Sequence, residues 1–401
     1  MKLIHRQYLD KLIKVIGTPE IKVITGIRRS GKSILLSELI NYVQKTHEKA
    51  NIISIDFNSL EYDDIRDYKS LNSYVESHFN PKKENFIFID EVQLCDGFER
   101  AINSLHASQK YDIYLTGSNA FLLSSDLATL FTGRAYPIEV FPFSFKEYLD
   151  YYPEKKELYQ AFDDYFLDGG LSGSYAYTDR EEKYKYIEEV YNTIIRRDIV
   201  TKHNIQNVPT LIKVSEYLTD NISNLTTPRS IADTLTSAKH TTNNKTVSSY
   251  IDYLCNAFVF YPIKRYDVNG KNYLYSQEKY YLCDHAIKAA VLGTKNMNYG
   301  RIYENIVAIE LLRRGYELYV GKLRNKEVDF VAKKRDEKIY IQVSYDIEDK
   351  QTFEREVTSL LEIRDAYPKI IIAHTRQPEY SHEGIKIIDI ADWLAQKDEE
   401  H

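Results

Sequence analysis

The first third of the chain predicts an α/β fold with a mainly parallel sheet, and three observations carry that prediction. Short runs rich in β-branched and aromatic residues recur at 21–25 (IKVIT), 51–57 (NIISIDF), 86–90 (FIFID) and 111–116 (YDIYLT). Stretches of helical spacing separate them, as in βαβ units. The runs are apolar almost throughout rather than alternating, which suits strands covered on both faces.

The elements follow in order. Strand 21–25 leads into a Gly-containing turn and an amphipathic helix over 33–44. Three further strands follow, and the domain is expected over 1–149, closing after the Pro-containing VFPFSFKEYL. Residues 150–204 read as a helical lid or connector, polar and aromatic, with a break at Gly169-Gly170. Over 205–290, Ile231 and Leu235 sit four apart, as do Val247 and Ile251, so each of two short helices buries one face. Two β-runs around Asn269-Gly270 then signal a hairpin. Together they read as a helix-turn-helix with a wing, a winged-helix-like domain. Lys245, Ser248, Ser249, Lys264 and Arg265 are the residues that would face DNA. The same unit used for packing or protein contact stays open. Residues 291–401 predict a second α/β domain: helix 303–314, strands 328–332 and 339–344, helix 352–367, then strands 369–373 and 385–389.

Composition limits the function classes. Hydrophobic residues make up 43% and charged residues 28% of 401, ordinary globular chemistry. No apolar run approaches the roughly 18 residues of a membrane span, and no membrane partner is expected. The N-terminal MKLIHRQYLDKLIKV has no apolar core of a secretory signal. Cys95, Cys255 and Cys283 are scattered and odd in number, which excludes a disulfide framework and points to a reducing, cytoplasmic setting. Net charge is −6, so the whole chain has no bulk attraction to nucleic acid, although 201–300 carries a positive excess.

The chemistry concentrates in Gly26-Ile27-Arg28-Arg29-Ser30-Gly31-Lys32-Ser33, a full G-x-x-x-x-G-K-[ST] phosphate loop between a strand and a helix. Gly26 and Gly31 let the backbone curl so that N–H groups point at phosphate oxygens. Lys32 neutralises β- and γ-phosphate charge, Ser33 offers a hydroxyl to Mg²⁺, and the start of the helix through Ile34 adds a positive dipole end. For Arg28 and Arg29, charge near phosphate and a solvent-facing role are both open. The ligand expected is ATP with Mg²⁺. A guanine-reading N-K-x-D is missing, since Asn244-Lys245 and Asn325-Lys326 both lead to Val where Asp is needed.

Asp90 and Glu91 end the third strand, at the sheet edge where ligands sit. Asp90 is expected to hold Mg²⁺ through its water shell and Glu91 to polarise the attacking water. After the fourth strand, Asn119, ahead of Ser118, is a candidate for the γ-phosphate or that water. Arg134 is a candidate for γ-phosphate charge, in cis or from a neighbouring subunit, with a surface salt bridge as the alternative.

With GIRRSGKS, FIFIDEVQ, LTGSNA, TGRAYPIEVFPFSFKEYL and a late EVDFV…IYIQVSY pair in view, the chain resembles the bacterial and archaeal AAA-type ATP-binding proteins that carry a C-terminal restriction-endonuclease-like domain. The resemblance covers nearly the whole chain. It implies an AAA-like P-loop ATPase core, a winged-helix middle and a nuclease-like tail over 291–401. The proline common in that family near Gly169–Gly173 is missing here.

A nuclease of the related fold needs one acid followed by Glu/Asp-x-Lys, the acids for Mg²⁺ and the lysine for the nucleophile. Here Glu304 and Asp329 are present, but Gln342 and Ser344 replace the second acid and the lysine. The tail is therefore expected to be catalytically degenerate. The chain as a whole reads as an Mg²⁺-dependent ATPase whose cycle drives conformational change, coupled to duplex DNA or a protein partner, with an oligomer open. A nucleotide-gated switch with little turnover is the alternative, and a nuclease the third reading.

Overall fold

The structure, a computed structural model, describes residues 2–117, 131, 133–155, 157–268, 270, 272–295, 297–324 and 326–396. The chain divides into two compact units. One is Leu3–Pro142 with Asn256–Phe258; the other joins Lys2, Phe143–Cys255 and the described residues from Val259 onward.

The first unit holds α1 (Gln7–Lys14), β1 (Ile21–Thr25), α2 (Lys32–Thr46), β2 (Ala50–Asp56), α3 (Tyr68–Ser77), β3 (Glu84–Asp90), α4 (Phe98–Ala107), β4 (Tyr111–Thr116) and β5 (Ala135–Glu139). All five strands are parallel, in the order β2-β3-β4-β1-β5. This is the α/β fold the sequence predicts. Every residue of β1 is buried. Period-2 alternation sends Ile21 and Val23 into the core cluster with Ile87 and Ile89 from β3 and Leu71 and Ile102 from α3 and α4. α2 packs against β2, β3 and β4 and buries Leu35, Leu36, Leu39 and Val43. Two helical layers thus cover the central strands β1, β3 and β4, which need no polar face, while the edge strand β2 alternates and leaves Ser54 and Asp56 exposed.

The sequence reading did not pick out β5, and its composition explains why. It carries Pro137, which cannot donate to a ladder, and it lies at the sheet edge, bonded to β1 alone.

The first unit closes at Pro142 rather than at the expected 149, so α5 (Phe145–Tyr151) opens the second unit; over 150–204 follow α6 (Leu158–Asp168) and α7 (Arg180–Thr193), the last running into a π-helical turn at Ile194–Thr201. Gly169 ends α6 at φ +71°, where a Cβ would lie 2.3 Å from Asp284 Oδ1. Then come α8 (Val208–Asp220), α9 (Pro228–Ser237), α10 (Asn244–Asn256), β6 (Phe260–Asp267), β7 (Asn272–Leu282) and α11 (Ala286–Leu292). Thr227 caps α9, and the Asn243 side-chain oxygen accepts from the Thr246 N–H at the start of α10. The rest is α12 (Tyr299–Arg313), β8 (Glu317–Leu323), β9 (Lys326–Lys334), β10 (Glu337–Ser344), α13 (Lys350–Leu361), β11 (Lys369–Ala373), β12 (Tyr380–His382), β13 (Ile385–Asp389) and α14 (Ile390–Ala395).

The helix pair and hairpin expected over 205–290 are present, but the hairpin is not a free wing. β6 pairs in parallel with β8 through Arg265–Asp267 and Val320–Lys322, so one eight-stranded sheet runs β12-β13-β11-β10-β9-β8-β6-β7. The boundary expected at 290/291 is crossed by that sheet. Among the described residues no helix is long and apolar enough to cross a membrane.

Candidate nucleotide site

Because the strands are parallel, the residues that follow β1, β3 and β4 meet at one carboxyl edge. Ile24 pairs with Thr116, and Ile89 with Leu115. The phosphate loop leaves β1 there. Gly26 sits at φ +133°, and a Cβ on it would lie 2.2 Å from the Val140 carbonyl oxygen, so only glycine fits. Gly31 is left-handed at φ +95° and is the N-cap of α2, whose first residue is Lys32. The loop therefore opens onto a helix N-terminus.

Inside the loop, the buried Lys32 ammonium donates to the carbonyls of Gly26 and Ile27, each at 2.9 Å. Ser30 is buried, and its hydroxyl has no protein partner. Ile27 is buried, Arg28 half-buried and Arg29 exposed, and Ile34 shows its side chain to solvent at the start of α2.

Sequence reasoning missed two residues that brace this loop and edge. Arg6, buried, donates from Nη1 to the Ser30 carbonyl at 2.6 Å and from Nη2 to the Phe141 carbonyl at 2.8 Å. It ties the loop to the chain beyond β5, and a cation 24 residues from the carbonyl it holds leaves no motif to find. Thr116, fully buried at the end of β4, donates its hydroxyl to Asp90 Oδ1 and accepts the Glu91 N–H at 3.1 Å. Its place at a strand end beside the Asp-Glu pair was the available signal.

The Ser33 hydroxyl lies close enough to the Asp90 carboxyl to act on its titration. Burial pushes the Asp90 carboxyl above its ordinary range, Thr116 and Ser33 oppose the rise, and Glu91 and Asp56 add to it. Asp56 ends β2 directly beside Asp90, a further acid at this edge. A hydroxyl and a buried carboxylate are hard oxygen donors, the chemistry that suits Mg²⁺. Glu91 follows at φ +53°, a left-handed conformation costly for a non-glycine residue and common where function requires it. The Gln93 side-chain amide donates to its carboxylate.

Arg134 does not join this group within the chain. Its carbonyl accepts from the N–H of Ile21, the first residue of β1, which puts Arg134 at the amino edge of the sheet. One five-residue strand, about 16 Å, separates that edge from the loop. The cis role is therefore corrected by the parallel pairing of β5 with β1. Asn119 and Ser118 lie outside the described residues.

In the second unit, Glu304 of α12 and Asp329 of β9 are brought to one buried cluster, with Gln342 of β10 bonded to the Asp329 backbone. The Ser344 hydroxyl turns aside to donate to the Asp346 carbonyl at 3.0 Å. Among the described residues no group of three or more His, Cys, Asp or Glu side chains is arranged to hold a metal ion.

Residues 18–149 match the AAA domain family, 159–298 a domain of unknown function (DUF8612) and 299–393 another (DUF4143). An uncharacterized protein of Haemophilus influenzae is 38% identical over 397 residues, covering 98% of each chain. An uncharacterized protein of Methanocaldococcus jannaschii is 29% identical over 406 residues, covering 98% of this chain and 88% of its own. Among solved structures, a Walker-type ATPase of Pyrococcus abyssi superposes with a TM-score of 0.49 at 17% identity, over 72% of this chain and 95% of that one, a partial likeness. The chain therefore belongs to the same family as the Haemophilus influenzae protein, and its N-terminal part is an AAA-type domain of the P-loop ATPase fold.

Proposed function

We propose that the chain is an Mg²⁺-dependent ATPase whose nucleotide cycle drives a conformational change, coupled to duplex DNA or a protein partner by the C-terminal half. The observation that carries this reading is the meeting of Lys32, Ser33, Asp90, Glu91 and Thr116 at one sheet edge, in front of a helix N-terminus. Lys32 and the loop N–H groups bind phosphate oxygens, and the unpartnered Ser30 hydroxyl is a further donor within the loop. Ser33 and Asp90 are the residues that would hold Mg²⁺, which when bound neutralises phosphate charge. Glu91 orients the attacking water and accepts its proton, while Thr116 fixes Asp90 and the Glu91 backbone relative to each other. Arg134, exposed on the opposite edge, fits a role at the site of a neighbouring subunit.

Helices α9 and α10 with the β6–β7 hairpin support the winged-helix reading. Lys245 and Lys264 are exposed, while Arg265 is tied to Gln277 Oε1 at 3.0 Å. The domain assignments 150–204, 205–290 and 291–401, the last as a restriction-endonuclease-like scaffold, belong to the same proposal. The second reading, a nucleotide-gated switch with little turnover, is favoured by one observation: the Gln93 amide already engages the Glu91 carboxylate.

Steady-state phosphate release from Mg-ATP, with and without duplex DNA, tests the proposal. A rate that DNA raises makes this a DNA-coupled ATPase. A DNA-indifferent rate moves the coupling to a protein partner, and near-zero turnover with ATP-dependent partner retention establishes the switch instead.

A further inference from the structure

The acid cluster of the second unit contains a cation of its own. Lys279 of β7 is 4% exposed. Its ammonium lies 2.9 Å from Glu304 Oε1, 2.6 Å from Glu327 Oε1 and 3.7 Å from Asp329 Oδ1. Tyr281, two residues along the same strand, donates to Glu304 Oε1 at 2.6 Å. Burial pulls the Lys279 ammonium toward neutrality, and Glu304, Asp329 and Glu327 outweigh it, so the lysine stays charged. Burial and then Glu304 push the Asp329 carboxyl well above its ordinary range.

These residues do not fit a divalent metal. Mg²⁺ needs oxygens at about 2.0–2.1 Å in near-octahedral array. Here Glu304 and Glu327 stand at hydrogen-bond spacing around a nitrogen, with Asp329 at ion-pair distance from it. Asp329 Oδ2 accepts from the Val343 N–H at 2.8 Å, and Gln342 Oε1 accepts from the Asp329 N–H at 3.2 Å, so both side chains are spent on each other's strands. Ser344, at the position of the nuclease lysine, faces its own turn.

We propose that the Lys279 ammonium is the resident cation of this cluster, standing where a nuclease-like domain holds its metal, so that the tail takes no divalent ion and acts as a non-cleaving scaffold. This rests on the nuclease-like reading of 291–401 only for what the position is. Lys279 comes from the preceding hairpin, outside that segment. The continuous sheet carries it there.

The test uses the full chain without nucleotide and Mn²⁺ as the probe. All proteins compared keep the same phosphate loop, so any contribution from Ser33 and Asp90 cancels. Wild type and Asp329→Asn are expected to give the same Mn²⁺ titration by electron paramagnetic resonance. Lys279→Met should melt lower than wild type and recover about 2–4 °C in millimolar Mn²⁺. The pair Lys279→Met/Asp329→Asn should not respond. Mn²⁺ binding by wild type that Asp329→Asn removes, or Mn²⁺-dependent DNA cleavage lost with it, overturns the inference while supporting an active nuclease. A folded Lys279→Met that ignores Mn²⁺ overturns the cation position itself, and with it the likeness to a nuclease centre. Should Lys279→Met fail to fold, the wild-type titration still decides.

Discussion

Thr116→Val isolates the contact on which the acid edge depends. Valine keeps the shape of threonine, so the fully buried site opens no cavity, but the hydroxyl is lost. That hydroxyl donates to Asp90 and accepts from the Glu91 N–H at 3.1 Å. A hydrogen bond to a charged group contributes about 1.5–3 kcal/mol. The orphaned Glu91 N–H adds about 1 kcal/mol, the low end of the usual range, because Glu91 is only half-buried. The sum is about 3 kcal/mol, or roughly two decades if all of it is expressed with metal and nucleotide bound. The loss also removes a donor that favours the ionised Asp90. The Mg²⁺ concentration for half-maximal phosphate release should therefore rise by about 10–100-fold. Thr116→Ser, which keeps the hydroxyl, should stay near wild type. An unchanged Mg²⁺ dependence in Thr116→Val, or an equal loss in Thr116→Ser, would refute the reasoning.

Further expectations follow from the same geometry. Burial raises the Asp90 carboxyl above its unfolded value, so its contribution to stability is fully present below the unfolded pKa and is lost as pH rises through the folded one. Asp90→Asn should thus melt above wild type at neutral pH, with the gap closing toward about pH 4, while turnover disappears; an equal or lower melting point at neutral pH contradicts this. Arg6→Ala leaves the Ser30 and Phe141 carbonyls without their donor, and should cost about 2–4 kcal/mol in denaturant unfolding and raise KM for ATP more than it lowers kcat. Gly26→Ala drives a methyl to 2.2 Å from the Val140 oxygen, and should abolish nucleotide binding with the far-ultraviolet circular dichroism retained.

What was legible in the sequence is what local chemistry encodes. The loop, strands β1–β4 and the Asp90-Glu91 pair each announce themselves within a few residues, through glycine spacing or an unbroken apolar run. Strands β11 and β13 fall where their apolar runs placed them. What stayed hidden depends on distant partners. Arg6 reaches the loop across 24 residues, and Lys279 enters the acid cluster from a strand outside the domain the sequence delimits. β8 (ELYVGKL) went unread because Gly321 and a register shift interrupt its pattern. The wing read as a separate hairpin because nothing in 260–282 shows its pairing with β8, where Arg265 meets Val320.

The proposed ATP hydrolysis at this edge rests on Glu91 as the water-activating group. Glu91→Gln, measured for both nucleotide binding and phosphate release in Mg-ATP, tests it most directly, with Lys32→Ala as the binding-deficient reference. In Glu91→Gln, ATP should be retained at near wild-type affinity with phosphate release reduced to background. Phosphate release at the wild-type rate in Glu91→Gln would contradict it.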